Sequence, residues 1–174
     1  MVKADLLLEL ARRDAFVPLW SGRILDEVSR AIVKVTDTPL ERARVRGQRM
    51  DEAFPDARVE NWESLVDSIR GVPDSDDRHV IAAAIEGNAS VIVTDNLRDF
   101  PDSALEQHSL HAVSSDEFLL DVLDLNQVRV VKALEAMVEK RRRPPVTMDE
   151  LLYRLERSMA PRFADEMRGI VDEL

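Results

Sequence analysis

The sequence predicts an α/β domain with a small parallel sheet over residues 1–123 and an all-helical extension over residues 124–174. Three observations carry this. The helix-forming block His79–Ile85 is followed by the β-branched run Val91–Ile92–Val93 and then by Leu110–Val113, so helix and strand alternate. Beyond about residue 124 only helical periodicity remains. The chain has 174 residues, 45% hydrophobic and 33% charged, which suits one domain with a buried core and a small appendage and rules out disorder.

The elements follow in order. Leu6, Leu7, Leu10 and Ala11 share one helical stripe, which ends at Ala15–Pro18. Ser21 caps a second helix whose inward face is Ile24, Leu25, Val28, Ala31 and Ile32. Pro39 opens a third helix through Leu40, Ala43, Val45 and Met50. Ala57–Glu60 reads as a short strand, and Asn61 as the cap of a helix through Trp62, Leu65, Val66 and Ile69. Gly71–Val72–Pro73 breaks the chain, and Gly87–Asn88 stops the Ala-rich helix. The brevity of Val91–Val93 predicts a fully buried parallel strand. In the extension, Val128, Val131, Leu134 and Val138 predict one helix, Thr147 with Glu150 makes a capping box for the next, and Phe163, Met167 and Ile170–Val171 fit a last one.

Composition narrows the chemistry. Without cysteine there are no disulfides, thiolate sites or cysteine nucleophiles, and three histidines are too few for a His-rich centre. No glycine lies in a phosphate-cradling pattern. No apolar run reaches the roughly 18–20 residues of a membrane span, which predicts a soluble cytoplasmic protein with no membrane partner. Net charge is -10, and residues 51–100 hold twelve acidic side chains against four basic ones. An acidic surface disfavours phosphate contact, but concentrated carboxylate suits a divalent cation.

Three constellations stand out. In Asp74–Ser75–Asp76–Asp77 one acid explains a helix cap, and three exceed what a cap needs. Thr94–Asp95–Asn96–Leu97–Arg98–Asp99 lies just past a predicted strand end, where open α/β sheets bind ligands; the same residues also make ordinary turns. Glu27 sits at the edge of an apolar helical stripe, a place that also suits a solvated carboxylate. Gathered at one crevice, two such charges 4 Å apart would repel by roughly 4 kcal/mol at an effective dielectric of 20. A bound Mg²⁺ or Mn²⁺ relieves that repulsion. His79, one turn from Asp76, reads as a helix-surface histidine ahead of one that faces the site, and Lys140–Arg143 as either an RNA-backbone contact or a helix-end dipole complement.

The block Asp74–Pro101, with Trp20–Ile32 upstream, resembles the PIN-domain ribonucleases, and more narrowly the VapC-type toxins of bacterial toxin–antitoxin pairs. The resemblance spans roughly residues 4–123, and the helical tail is similar to an extension carried by some members. It implies a PIN-like three-layer fold and a metal-dependent endoribonuclease. Glu27, Asp77 and Asp99 are then the catalytic metal ligands, Asp95 sits beside them as a further ligand, and Asp76 is the nearest rival of Asp77. Thr94, Asn96, Arg98, Arg141 and Arg142 are implied to contact RNA. The implied cofactor is Mg²⁺ or Mn²⁺, and the implied partners are RNA, a cognate antitoxin and a second copy of the chain. One departure weakens the carry-over. The family opens with a strand ending in an aspartate, whereas Met1–Ala4 leads straight into a helix here, which reads as an N-terminal truncation ahead of a natural degenerate member. The competing reading is a non-catalytic PIN-like module that holds an antitoxin or regulator. An Asp-x-Asp phosphatase and a receiver domain fit poorly: Asp74-x-Asp76 follows no strand, and no lysine follows a late strand.

Overall fold

The computed structural model describes residues 2–141 and 144–173. The apolar stripe of the N-terminal segment becomes helix α1 (Val2–Ala11), and no strand precedes it among the described residues. Strand β1 (Trp20–Ser21) leads into α2 (Gly22–Thr36) and α3 (Leu40–Ala53), and β2 (Arg58–Val59) follows. After 3-10 turns at Trp62–Ser68 and Ser75–Asp77 come α4 (Arg78–Glu86), β3 (Val91–Val93), α5 (Asp102–Leu105) and β4 (His111–Val113). The chain ends with α6 (Ser115–Leu125), α7 (Gln127–Lys140), α8 (Met148–Glu156) and α9 (Pro161–Asp172). No helix among the described residues is long and apolar enough to cross a membrane.

The fold is α/β, with helices dominating two small strand pairs. β1 and β2 run parallel, with Trp20 opposite Arg58 and Ser21 opposite Val59; β3 pairs with β4. Thr94 N–H donates to Val113 O at 2.9 Å and extends the second pair by one rung. The expected full burial of β3 holds for Ile92 alone, with Val91 and Val93 half-buried. β1 carries no periodicity to betray it, being two residues long.

Two compact units divide the chain. One comprises α1 with Val93–Asp95 and everything from Val113 onward; the other comprises Pro18–Ile92 and Asn96–Ala112. The reason lies in α1. Its buried Leu6 and Leu10 join Leu119, Leu134, Leu151, Leu152, Leu155, Phe163 and Met167 in one core. The first helix in sequence is thus packed as a member of the C-terminal helical group.

Caps explain where these helices start. Ser21 accepts from Ile24 N–H at 3.3 Å, Ser114 from Glu117 at 3.1 Å, Asn126 from Arg129 at 3.0 Å and Thr147 from Glu150 at 3.2 Å. Three details differ from expectation. Asn61 makes no side-chain cap; it takes a left-handed conformation (φ 63°) ahead of a 3-10 turn rather than an α-helix. Ala31 is exposed. The buried stripe of α7 is Val130, Ala133, Leu134 and Met137, because the Asn126 cap leaves Val128 in the first turn, 64% exposed.

The second unit's core gathers Val59, Trp62, Ile69, Ile81, Ala82, Ile92, Phe100 and Leu105. Here the helix stop after α4 splits its labour: Asn88 takes the positive φ (52°), while Gly87 is required for space. A Cβ at Gly87 would lie 2.9 Å from Val59 Cγ2, 3.0 Å from Leu19 Cδ1 and 3.1 Å from Ala83 O. Gly87→Ala is therefore expected to destabilise the protein by about 1–3 kcal/mol through overpacking. Chemical denaturation, read as a lower midpoint at unchanged slope, checks this.

Candidate metal centre

The Asp74–Asp77 run divides its acids by task. Asp74 caps the 3-10 turn, accepting from Asp76 N–H at 2.8 Å. Asp76, with its side chain 87% exposed, pairs with Arg23 at 3.7 Å. Asp77 has neither role. Its carboxylate is half-buried, and no hydrogen bond or ion pair reaches it among the described residues. Burial first, and then the charges of Asp99, Asp74, Glu27 and Asp76, hold its pKa above the ordinary 3.8. The structure thus brings Glu27 and Asp99 close enough to Asp77 for their charges to act on it.

The neighbours of Asp77 are placed by separate elements. Glu27 comes from α2, where Arg23 sits one turn earlier and approaches it at 3.4 Å. Asp99 lies in the 3-10 turn Leu97–Asp99 after β3 and accepts a hydrogen bond from the Asn96 amide. Arg98 is exposed on that same turn.

Asp95, expected as a further ligand, is otherwise engaged. It pairs with Lys3 and accepts from Ser115 N–H at 3.2 Å at the start of α6. Burial pushes its pKa up, but the bonds from Lys3 and Ser115 outweigh this and hold it below 3.8. By the sign of that shift, its contribution to stability is complete above 3.8 and is lost as pH falls through its lower folded value. Asp95→Asn is expected to remove the acid limb of that dependence, checked by thermal denaturation between pH 3 and 6 (the interval of ordinary carboxylate titration, roughly).

The basic run at the end of α7 is also committed. Lys140 Nζ contacts Glu9 Oε2 at 2.6 Å, and Arg141 Nη2 contacts Asp5 Oδ2 at 3.2 Å. These pairs join α7 to α1 and occupy Arg141, which was expected on RNA; Arg142 and Arg143 lie outside the described residues.

His79 overturns its expectation. It is buried, not on the helix surface: 1% exposed, with its ring centroid 5.8 Å from that of Trp62. Nε2 lies 3.0 Å from Glu27 Oε1. Burial keeps the imidazole pKa below 6.5 despite the opposing pull of Glu27. Sequence reasoning also missed Arg23 as the cation beside Glu27, although its place four residues before that acid on one helix was a readable signal.

Among the described residues no three His, Asp or Glu side chains already converge as a metal-binding group. The donor chemistry nevertheless fits a hard divalent cation: carboxylate oxygens, one of them unpartnered and burdened by like charge. Asp77 and its acidic neighbours are the side chains that would supply protein ligands to such an ion.

Residues 2–98 match the family model described as PIN domain, and residues 115–169 match one described as VapC50 C-terminal domain. Over 94 residues the chain is 44% identical to the "Putative ribonuclease VapC50" of Mycobacterium tuberculosis (strain ATCC 25618 / H37Rv), covering 54% of this chain and 55% of that protein. The chain thus spans about half the length of the curated relative it matches. No solved structure gives a significant match.

Proposed function

This chain belongs to the PIN-domain family, and from that premise we propose that it is a divalent-metal-dependent endoribonuclease of the VapC toxin type, acting in the cytoplasm and held by a cognate antitoxin. The relative's description as a ribonuclease supports the activity. The observation that carries it is Asp77: a half-buried carboxylate with no partner among the described residues, crowded by four other acids. Such an arrangement is costly without a cation, and a PIN ribonuclease has use for one.

In this reading Glu27, Asp77 and Asp99 hold the ion, which when bound activates water and neutralises charge on the phosphodiester. The protein's own residues do the rest. Asn96 fixes the Asp99 carboxylate through its amide hydrogen bond. Arg23 balances Glu27 and Asp76. Arg98, exposed on the turn after β3, is the cation this reading assigns to an RNA phosphate. Asp95, tied to Lys3 and Ser115, orders the segment after β3 and is not a primary ligand.

The test is Mn²⁺-dependent cleavage of a mixed transfer-RNA pool by the whole chain, with Asp77→Asn and EDTA as controls. Cleavage lost in both controls supports the assignment, and cleavage surviving Asp77→Asn sinks it. Inactivity together with no Mn²⁺ binding turns the reading to the non-catalytic module. Because Asp77 must lose its proton to ligate, and burial and its acidic neighbours raise its pKa in the metal-free protein, Mn²⁺ binding is expected to weaken on acidification at a pH above the ordinary carboxylate value, 3.8. Mn²⁺ titration across pH checks this.

A further inference from the structure

His79 is 1% exposed, and neither ring nitrogen makes a properly directed hydrogen bond among the described residues. Nε2 still lies 3.0 Å from Glu27 Oε1, off the direction a ring N–H would need. A buried polar group left unsatisfied is destabilising, and in a native protein it calls for a partner such as a water or an ion. The Nε2 edge of the imidazole meets Glu27 of the acidic cluster, and the Trp62 ring lies tilted beside it at 5.8 Å.

The separation has a second meaning. Two donors bound to one ion at about 2.1 Å, at right angles to each other, stand roughly 3.0 Å apart. Lone pairs converging on a shared ion require no N–H···O alignment. The contact that makes a poor hydrogen bond therefore makes a reasonable ligand pair.

We propose that His79 Nε2 and Glu27 Oε1 are adjacent donors to one divalent cation, giving the centre a mixed nitrogen–oxygen character. The inference rests on the reading above that a cation occupies the carboxylate cluster. Imidazole is a ligand for first-row transition ions, whereas Mg²⁺ takes oxygen. The centre thus selects a transition ion over Mg²⁺. Arg23 contacts the same Glu27 oxygen at 3.4 Å and Asp76 at 3.7 Å. Its side chain is 40% exposed, so the guanidinium has room to withdraw when the ion enters. In the metal-free protein it serves as the counter-ion.

Pulsed electron paramagnetic resonance of Mn²⁺ added to the whole chain reads the bond directly. A ¹⁴N coupling from imidazole is expected in the native sequence. It should vanish in His79→Gln, which keeps the carboxylates and binds Mn²⁺ at least about 10-fold more weakly, the lower range for groups that only orient a metal's ligands. Less Mg²⁺ should then displace the Mn²⁺, whereas Arg23→Gln should bind it more tightly. The native-sequence spectrum decides the matter even if His79→Gln fails to fold. Bound Mn²⁺ without a nitrogen coupling overturns the proposal, and if RNA is still cleaved the nuclease reading stands. No Mn²⁺ binding at all overturns both.

Discussion

Replacing Asp77 with asparagine is expected to lower Mn²⁺-dependent RNA cleavage by at least about 100-fold, the upper range for groups that merely orient a metal's ligands, and to raise the melting temperature of the metal-free protein. The two effects have one cause. Asp77 is half-buried among like charges, and its raised pKa means that the folded state resists its ionisation. A group shifted this way contributes most to stability below the unfolded value, near 3.8, and that contribution is lost as pH rises through the folded value. At neutral pH the carboxylate therefore weakens the metal-free fold, and an amide of equal size does not. Each kcal/mol relieved corresponds to about 2–4 °C for a chain of this length.

Metal reverses the order. On the proposed function, Mn²⁺ should stabilise the folded native sequence by mass action, whereas Asp77→Asn, lacking the proposed ligand, should gain little. Thermal denaturation with and without Mn²⁺ should give crossed results: the variant melts higher in EDTA, and the native sequence shows the larger upward shift with metal. A native sequence that melts no lower than the variant in EDTA would remove the electrostatic argument, whatever the cleavage assay returns.

The legible parts of this protein were those written in local chemistry. Ser21 and Thr147 cap helices because a hydroxyl followed by a helical stripe has few other uses. The surplus of acids at Asp74–Asp77 was visible, and the structure shows which one is surplus, since Asp74 caps and Asp76 pairs outward. What stayed hidden depends on distant partners. His79 reads as an ordinary helix residue until Glu27, fifty-two positions earlier by residue number, is placed 3.0 Å away. Lys140 and Arg141 look like a basic patch until Glu9 and Asp5 of α1 neutralise them. The grouping of α1 with the C-terminal helices was invisible for the same reason: its apolar stripe states that it is buried, not against what.

Asp116→Ala carries the second large effect, on stability. Helix α9 begins at Pro161, and its N-cap residue, Ala160, has no side chain that can accept a hydrogen bond. Its orphan amides are satisfied instead from α6. Asp116 accepts from Phe163 N–H at 2.9 Å with Oδ1 and from Arg162 N–H at 3.3 Å with Oδ2. The carboxylate is buried, and its negative charge faces the positive end of the α9 dipole. Hydrogen bonds to a charged group are worth about 1.5–3 kcal/mol, and truncation leaves buried donors unpaired. We expect a loss of about 3 kcal/mol, or a fall of roughly 6–12 °C in melting temperature. Asp116→Asn, which keeps one acceptor oxygen but not the charge, should fall between the two. Phe163 and Met167 of α9 are fully buried in the same core as Leu6 and Leu10 of α1, so loosening α9 should weaken this whole helical unit rather than fray one end. Amide hydrogen exchange distinguishes the two: loss of protection confined to residues 161–164 would refute the cooperative account, and loss shared by α1 and α8 would support it.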